Sequence, residues 1–493
     1  MPAAPRYLAI ARALTDDIRR GRLPPGARVP SSRTLAARLG VHRNTVLAAL
    51  DELTAQGWIV TAPARGTFVS SALPATVAPA GRDRSAPGFD LPAPPVAPNV
   101  WLAPRGRGVL NLAAGIPDPR LFPVDALARA WRRVVRRSAR TLLTYGPAEG
   151  HPPLRAGLAE LVRTTRGVPA TAEHVLCTRG SQMALDVCAR ALLRPGDRVA
   201  VEALGYRPAW DALALAGAVP VPVPVDALGL DVDALARLPA VRAVYVTPHH
   251  QYPTTVTMSA ARRLALMTLA RQRRMLVLED DYDHEFHYAG HPVAPLAADD
   301  PTGQVVYLGT LSKVLAPGLR LGFVVAPPPV IALLARWRSA MDRQGDQAME
   351  AAVAELIADG ELERHMRRMR VAYQARRDAL VAALARRLPA EVTVAVPRGG
   401  ISLWATVAPD LDVAAWTAAC AARQVQIGPG ARYTFGGDEP GAVRLVFAPH
   451  TPAELDRAVA LMAEAVPRPT SRAASGSGSS RRGGPSGSAP PRR

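Results

Sequence analysis

Short apolar runs that alternate with helical stretches constrain the fold of this 493-residue chain more than any other feature. Three of these runs, at 243–246, 275–278 and 305–308, are apolar at every position, which is typical of strands buried on both faces of a parallel sheet. Amphipathic segments separate the runs from Val109 onward. The alternation predicts a doubly wound α/β domain.

Polar residues follow these predicted strands at their carboxyl ends. The run at 275–278 leads into Glu279-Asp280-Asp281-Tyr282-Asp283, and the run at 305–308 leads into a segment that contains Lys313. Ligands in open α/β sheets bind where the strands end, so we expect a ligand site there.

Lys313 is the only lysine in the chain, whose other basic residues are arginines. Lysine can supply a nucleophilic amine and arginine cannot, which indicates a catalytic Schiff base to an aldehyde cofactor. The hydroxyls of Thr310 and Ser312 and the guanidinium of Arg320 suit a phosphate on that cofactor. This combination predicts pyridoxal 5'-phosphate.

Further residues fit the ring of such a cofactor. Asp280 is the carboxylate expected to keep the pyridine nitrogen protonated, and Tyr282 is expected at the ring hydroxyl. Tyr206 is a candidate to stack on the ring, although a core tyrosine is at least as common. The acids and histidines at 279–287 also resemble metal ligands, but the cofactor explanation is favoured and no metal is predicted.

A glycine turn is expected to contribute to the same phosphate site, although by itself it is a common connection between a strand and a helix. A strand at 175–178 is followed by Gly180, and a helix is predicted from Met183, so backbone N–H groups near Ser181 and Gln182 would face a phosphate. No GxGxxG motif is present, which argues against a dinucleotide-binding fold.

The region after residue 328 predicts a smaller subdomain. A long helical region is expected at 328–387, followed by strands at 401–404 and 443–447. Arg444 on the last strand suits bidentate capture of a carboxylate, and a salt bridge at the rim explains it equally well.

The first 70 residues have helix-turn-helix spacing followed by two short strands. Helices are predicted at 7–18, 30–40 and 41–53, and strands at 57–60 and 66–69. The third helix begins with His42, Arg43, Asn44 and Thr45, which can reach phosphates or base edges, and Arg65 lies in the turn between the strands. Ten arginines against four acids favour DNA binding, so we predict a winged helix. A helix pair inside a larger domain is the alternative.

Composition divides the rest of the chain. The predicted order is a DNA-binding domain at 1–70, a Pro/Ala-rich linker at 71–108, a cofactor domain at 109–466 and a disordered basic tail at 467–493.

The formal net charge of +19 points to polyanion contact, and the three cysteines show neither disulfide nor zinc spacing. No apolar run is long enough for a membrane helix, so a cytoplasmic protein associated with the nucleoid is expected.

The segment at 29–46 resembles the signature of the GntR family of winged-helix regulators. The resemblance assigns DNA contacts to Arg33, Arg43, Asn44, Thr45, Arg65 and Gly66. With the segments at 279–283, 309–313 and 319–322, the whole chain resembles the MocR/GabR-type regulators. In these, a winged helix is joined to a domain of the fold-type-I aminotransferase class, with a large α/β domain and a smaller α+β subdomain.

That resemblance implies roles for particular residues. The cofactor would be held by Lys313, Asp280, Tyr282, Tyr206, Ser181, Gln182, Thr310, Ser312 and Arg320, with Gln251 at the ring oxygen. Arg444 and Gly115 would contact a small amine or amino-acid effector. Members form head-to-tail homodimers, in which Tyr145 would reach the neighbouring subunit's cofactor phosphate.

The chain departs from the family pattern near the ligand space. Thr255 replaces a glycine, His249-His250 replaces Ser-His, and His287 replaces an arginine. The favoured function is a pyridoxal-phosphate-dependent transcription regulator that binds a double-stranded DNA operator and senses an amine, an amino acid or the cofactor itself. The alternative is an active aminotransferase that carries a DNA-binding module.

Overall fold

The computed structural model describes residues 5–73, 90–92 and 108–467. The chain divides into two compact units, 1–94 and 95–493, which are treated separately below. Most of the predicted linker and nearly all of the predicted tail lie outside the described residues. The domain boundaries at 70, 108 and 466 therefore stay predictions.

The first unit is a three-helix bundle with a two-stranded wing. Its elements are α1 (Arg6–Arg19), α2 (Ser32–Leu39), α3 (Arg43–Ala55), β1 (Ile59–Ala62) and β2 (Gly66–Val69). The strands pair antiparallel, with Ile59 opposite Val69. Leu35, Val46 and Leu53 are fully buried between the helices. The predicted winged helix is confirmed.

Local sequence explains where α2 begins and ends. The Ser31 hydroxyl accepts a hydrogen bond from the Thr34 N–H at 3.2 Å, and so satisfies one free donor of the first turn. Gly40 ends the helix at φ 61°, a conformation that glycine adopts without strain. The turn between α2 and α3 is therefore tight, as helix-turn-helix geometry requires.

The second unit contains the remaining helices and strands. Its strands are β3 (Leu110–Asn111), β4 (Val175–Thr178), β5 (Arg198–Glu202), β6 (Val219–Val223), β7 (Val225–Asp226), β8 (Gly229–Leu230), β9 (Val241–Val246), β10 (Leu276–Asp281), β11 (Val305–Thr310), β12 (Gly322–Val325), β13 (Val392–Val394), β14 (Ser402–Val407), β15 (Val425–Gln426), β16 (Gly428–Pro429) and β17 (Ala442–Val446). Its helices are α4 (Val124–Leu142), α5 (Pro152–Arg166), α6 (Ser181–Leu192), α7 (Arg207–Leu215), α8 (Val232–Arg237), α9 (Ala260–Arg273), α10 (Pro328–Met341), α11 (Gln347–Ala358), α12 (Glu361–Arg387), α13 (Val413–Ala422) and α14 (Pro452–Glu464).

A seven-stranded sheet forms the centre of this unit, in the order β4-β12-β11-β10-β9-β5-β6. The five neighbours from β11 to β6 run parallel, and β12 is antiparallel to both of its neighbours. The carboxyl ends of β5, β9, β10 and β11 therefore meet at one edge, where open α/β sheets bind ligands.

The two faces of this sheet are covered by different helices. Tyr245, Leu278 and Leu308 pack with α6, α7 and α10 on one face, whereas Val244 and Val277 pack with α9 on the other. Side chains alternate between faces along a strand. Asp280 therefore points to the first face and Asp281 to the second.

A smaller subdomain contains a four-stranded antiparallel sheet in the order β13-β14-β17-β16. Its core joins Leu380 of α12, Trp416 of α13 and Leu455 of α14 to strand residues such as Leu403 and Leu445. The α/β class and the smaller α+β subdomain are confirmed.

One predicted helix boundary was wrong. Helix α6 begins at Ser181 rather than Met183, directly after Gly180 at φ 77°. The helical region predicted at 328–387 is confirmed, and it consists of the three helices α10, α11 and α12. Strand β3 has only two residues, because the Asn111 side chain accepts hydrogen bonds from the N–H groups of Ala113 and Ala114 and turns the backbone.

Strand β10 is longer than its apolar run predicts. Asp280 and Asp281 lie opposite Leu308 and Gly309 of β11 within the sheet, so the acids are part of the strand rather than the turn after it. All three cysteines are buried and free. Among the described residues, no helix has the length and apolar character needed to cross a membrane.

Candidate functional site

A cavity of about 550 Å³ lies at the carboxyl ends of the central strands, on the face of Asp280. It is lined by nearly all of the residues predicted to hold the cofactor and effector: Lys313, Asp280, Tyr282, Tyr206, Ser181, Gln182, Thr310, Ser312, Arg320, Arg444 and Gly115. Their roles stay predictions, but the structure brings them together from seven separate stretches of the chain.

Lys313 projects into this cavity from the turn after β11. Its Nζ donates a hydrogen bond to the Gly115 carbonyl oxygen at 2.6 Å. Burial, together with the nearby Arg444 guanidinium, lowers the pKa of Lys313 to about 8. A substantial fraction of the amine is therefore neutral, and thus nucleophilic, at a pH near 8.

Asp280 supplies a carboxylate in the same cavity. Its Oδ2 accepts a hydrogen bond from the Tyr245 hydroxyl at 2.8 Å, while its Oδ1 is buried and has no hydrogen-bond partner among the described residues. Burial raises the pKa of Asp280 to about 7. An unpartnered carboxylate oxygen suits a protonated pyridine nitrogen, so this residue fits the ring of pyridoxal phosphate.

Tyr245 was not singled out by the sequence analysis, although it holds Asp280 in place. It lies on β9, beside Leu278 of β10, where its hydroxyl reaches past the strand toward the carboxylate. The available signal was its hydroxyl, which is the one polar side-chain group in the apolar run at 243–246.

The phosphate end of the cavity is formed by α6 and the turn before β12. The N–H groups at the start of α6 lack helical partners, and Gly180 precedes them. The Arg320 guanidinium donates a hydrogen bond to the Arg179 carbonyl oxygen at 2.7 Å and lies against Gly180. A Cβ at Gly322 would lie 2.7 Å from the Gly180 backbone, so only glycine allows this approach.

Two other phosphate candidates already have partners. The Gln182 amide donates a hydrogen bond to the Pro208 carbonyl oxygen at 3.0 Å, and the Thr310 hydroxyl accepts one from the Ser312 N–H at 3.1 Å. Thr310 thereby orients the turn that carries Ser312 and Lys313.

Aromatic rings form one wall of the cavity. Tyr206 and Tyr252 meet edge to face at 5.3 Å, and Tyr252 meets Tyr282 at 5.8 Å. Gln251, the implied contact of the ring oxygen, does not line the cavity, and its amide donates hydrogen bonds to the carbonyl oxygens of Leu204 and Tyr252. Tyr252, which the sequence analysis missed, occupies that wall instead.

Arg444 lies on β17, next to this aromatic wall. It is buried, its guanidinium lies 4.8 Å from the centre of the Tyr252 ring, and its Nε has no hydrogen-bond partner among the described residues. A Cβ at Gly115 would lie 3.2 Å from this guanidinium, so the glycine leaves the cation accessible to a ligand. A carboxylate is the natural partner for such a cation.

Tyr145 is outside the cavity of its own chain. Its side chain is 80% exposed, and the Arg343 guanidinium lies 5.0 Å from the ring centre. An exposed aromatic residue here is available to a second subunit.

The first unit presents its predicted DNA contacts on α2, at the N-terminal end of α3 and on the wing. Arg33, His42, Arg43, Asn44 and Arg65 are exposed, and Thr45 and Gly66 are half-buried. The His42 Nδ1 accepts a hydrogen bond from the Asn44 N–H at 3.2 Å, so His42 caps α3 in addition to facing solvent. The Arg43 Nε donates one to the Ser32 hydroxyl at 3.2 Å and links α3 to α2.

Comparisons with known proteins agree with this division. Residues 6–69 match the model of the bacterial regulatory proteins of the gntR family, and residues 107–461 match that of aminotransferase class I and II. The winged helix therefore binds DNA, and the second unit binds pyridoxal phosphate.

Two transcription regulators are similar to this chain over most of its length. The chain is 33% identical to the probable rhizopine catabolism regulatory protein MocR of Rhizobium meliloti, over 84% of each chain. It is 32% identical to the pyridoxine biosynthesis transcriptional regulator PdxR of Corynebacterium glutamicum, over 75% of this chain and 77% of the relative.

Solved structures resemble the second unit. The alpha-aminoadipate aminotransferase LysN of Thermus thermophilus, in complex with N-(5'-phosphopyridoxyl)-L-leucine, matches with a TM-score of 0.67 and 31% identity. The match covers 73% of this chain and 92% of that one.

Proposed function

Because this chain belongs to the MocR-type GntR regulators, which join a winged helix to an aminotransferase-like unit, we propose that its cofactor cavity senses a small amine or amino acid, or the cofactor itself. The chain is a pyridoxal-phosphate-dependent, DNA-binding transcription regulator. The observation that carries the sensing role is that the buried guanidinium of Arg444 faces the same cavity as Lys313.

We assign the cofactor contacts as follows. The Lys313 amine holds the aldehyde carbon, Asp280 holds the ring nitrogen, and Tyr282 and Tyr206 hold the ring. The start of α6, Arg320 and Ser312 hold the phosphate. When bound, pyridoxal phosphate supplies an aldehyde that exchanges one amine for another and a ring that withdraws electrons.

The effector contacts follow from charge and position. Arg444 would hold an effector carboxylate, and the space above Gly115 would admit the rest of the molecule. The amine of an amino acid held there would lie near Lys313, so the aldehyde of pyridoxal phosphate would have two amines available to it. Since a ligand shifts a conformational equilibrium only through different affinities for its two states, an effector would act as a switch if its affinity differs between the state with Lys313 bonded and the state with Lys313 free.

We further propose a head-to-tail homodimer in which Tyr145 contacts the partner's cofactor phosphate. The exposure of Tyr145 supports this arrangement. Sedimentation of the full-length protein should give a dimer, and Tyr145→Phe should weaken cofactor affinity without changing the dimer. A monomer that binds the cofactor as tightly would contradict the arrangement. Bound to its operator, the protein would associate with the nucleoid.

An active aminotransferase is the second candidate, and the lowered pKa of Lys313 favours it. A lysine amine that is partly neutral near pH 8 can act as the general base that moves a proton at the substrate α-carbon. Amino-acid turnover would then accompany sensing or replace it.

Footprinting and turnover measured on one preparation separate the two candidates. The holo-protein is footprinted on DNA with and without each member of an amino-acid panel, and keto-acid formation is followed in parallel. The regulator proposal expects sequence-preferring DNA protection that one panel member or pyridoxal phosphate changes. Arg444→Ala should lose the response to a carboxylate-bearing effector and keep DNA binding. Fast turnover with no preferred DNA sequence would overturn the proposal.

A further inference from the structure

Four histidines lie in contact with one another behind the cofactor cavity. His249, His250, His284 and His287 are 2%, 2%, 3% and 8% exposed, and none of them lines the cavity. The ring centre of His249 lies 4.2 Å from that of His250, 4.6 Å from that of His284 and 5.9 Å from that of His287. We call these four residues the histidine cluster.

One nitrogen of each ring has an oxygen partner. The Nδ1 atoms of His250 and His284 lie 2.8 Å from carboxylate oxygens of Asp283 and Asp281. His249 uses its Nδ1 toward the Val293 carbonyl oxygen at 3.1 Å, and His287 uses its Nε2 toward the Ala289 carbonyl oxygen at 2.6 Å. These oxygens accept, so each of the four nitrogens donates.

The other nitrogen of each neutral ring then carries a lone pair. These nitrogens are His249 Nε2, His250 Nε2, His284 Nε2 and His287 Nδ1, and each is buried without a hydrogen-bond partner among the described residues. Leaving a buried acceptor unpaired is unfavourable. Four such lone pairs in one cluster would all be satisfied by one shared cation.

We propose that the histidine cluster binds one divalent transition-metal ion, with Zn²⁺ as its representative. Ligand atoms of His249, His250 and His287 all lie within 4.8 Å of one another, and those of a second group, His249, Asp281 and His284, which shares His249, do so as well. Tetrahedral coordination at the usual Zn–N distance places nitrogens about 3.3 Å from one another, so binding would require the side chains to move closer together. From the sequence, these acids and histidines are explained by the cofactor and no metal is predicted; the tautomers and lone pairs depend on contacts that only the fold provides.

The donor set decides the class of ion. Imidazole nitrogens suit Zn²⁺, Co²⁺, Ni²⁺ and Cu²⁺, whereas Mg²⁺ and Ca²⁺ take oxygen ligands. A carboxylate bonded to the far nitrogen of a metal-binding histidine orients the ring and raises its basicity, as Asp281 and Asp283 are placed to do. Their two negative charges also match a divalent cation.

The ion would stabilise the segment that joins this site to the cavity. Strand β10 and the turn after it carry Asp280 and Tyr282 into the cavity, and Asp281, Asp283 and His284 into the cluster. A bound ion would therefore restrain the end of β10, which contributes residues to the cavity on one face and to the histidine cluster on the other. Its removal should lower the temperature of unfolding.

Metal analysis on untagged, full-length protein loaded with pyridoxal phosphate tests this site directly. After dialysis against Zn²⁺ and then against metal-free buffer, inductively coupled plasma mass spectrometry should find one zinc ion per chain. Replacement by Co²⁺ should give the visible absorption of a four-coordinate cobalt ion. His249→Gln and His284→Gln should each weaken Zn²⁺ binding at least tenfold, and Asp283→Asn by about 10- to 100-fold.

A matched control separates the cluster from ordinary buried histidines. The His365 side chain is buried, its Nε2 lies 2.9 Å from the Val314 carbonyl oxygen, and its Nδ1 is unpartnered among the described residues, but it lies outside the cluster. His365→Gln should keep the zinc. If a cluster variant fails to fold, the wild-type protein still decides, since a chelator should lower its unfolding temperature and Zn²⁺ should restore it.

Two results would overturn the proposal. The first is a wild-type protein that retains no zinc and develops no cobalt absorption. The second is zinc that the His249 and His284 variants retain as fully as the wild type, which would place the ion elsewhere. Neither result bears on the regulatory function, because DNA binding and cofactor retention are measured separately.

Discussion

The two units place their functional residues in opposite environments. In the winged helix, Arg33, Arg43 and Arg65 extend into solvent from a small core that does not contain them. In the aminotransferase-like unit, Asp280 and Arg444 are themselves buried and interlocked with their neighbours. An exposed contact surface can therefore change without affecting its core, whereas a buried site changes both its chemistry and its stability.

The contrast also separates the kinds of charge that each unit uses. Arginines carry a fixed charge at any ordinary pH, which suits a phosphate backbone. Lys313 and Asp280 have pKa values moved toward neutrality by burial, which suits reactions that move protons. Each of the following predictions tests one side of this contrast.

The largest effect is expected from Lys313→Ala. Borohydride should no longer fix cofactor mass on the chain, because no other lysine can replace the amine. Lys313→Arg is the matched control, since it restores a cation without the nucleophile and should behave the same way. DNA binding without cofactor should survive in both variants. Full covalent retention by either variant would contradict the assignment.

The next largest effect is expected in the other unit, from Leu53→Ala. Leu53 is fully buried between the helices, so the loss of its side chain should destabilise the winged helix by about 2–5 kcal/mol. Hydrogen exchange should show the loss in this unit and leave cofactor binding unchanged. Leu47→Ala, on the exposed side of α3, should cost little. Equal losses from both variants would mean that α3 does not pack as described.

A smaller effect is expected from Arg43→Ala at the proposed DNA contact. If Arg43 reads a base edge, binding to the operator should weaken by about 1–3 kcal/mol. If Arg43 contacts a phosphate, the slope of the logarithm of the binding constant against the logarithm of the salt concentration should fall by about 1. Titrations at several salt concentrations distinguish the two. Arg22→Ala, whose guanidinium pairs with Asp17, is the control and should change neither. An unchanged affinity for Arg43→Ala would remove it from the interface.

The pH dependence of cofactor loading gives a further comparison. Below the Lys313 pKa of about 8, the neutral amine increases about tenfold per pH unit, so loading should accelerate to that point and then level off. Because folding lowers this pKa from 10.5, the unfolded chain binds more protons between about 8 and 10.5. The contribution of Lys313 to apo-protein stability therefore rises with pH across that window. Stopped-flow absorbance measures the loading, and loading that accelerates well above pH 9 would place the pKa elsewhere.

The smallest effect is expected from Thr255→Gly. Thr255 has φ 63°, a left-handed conformation that costs a β-branched residue about 1–2 kcal/mol and costs glycine little. Glycine should therefore raise the free energy of unfolding by about 1 kcal/mol in chemical denaturation. Thr254→Gly is the control and should destabilise, since the Thr254 hydroxyl donates to Gln251 at 2.6 Å. A loss of stability in Thr255→Gly would show that its hydroxyl has a role that outweighs the strain.

The sequence by itself determined the fold of both units. Apolar runs that end in polar residues specify a parallel sheet with its ligand edge, and the spacing from Ser31 to Leu53 specifies a helix-turn-helix. The single lysine and the carboxylate of Asp280 pointed to the cofactor without any coordinates, because their chemistry is local to each side chain. Strand ends and helix starts were less accurate, since hydrogen bonds to distant partners decide them.

Only the tertiary structure decided which side chains meet. It brought Tyr245 to Asp280 and Tyr252 to Arg444 across long separations in sequence, and it turned Gln251 away from the cavity. It also gathered four histidines with their lone pairs unpartnered. The pKa values of the buried groups, the histidine tautomers and the unpaired atoms are set by burial and by hydrogen-bond partners. Burial and hydrogen-bond partners depend on the whole fold, and they cannot be read from one residue or from its neighbours in the chain.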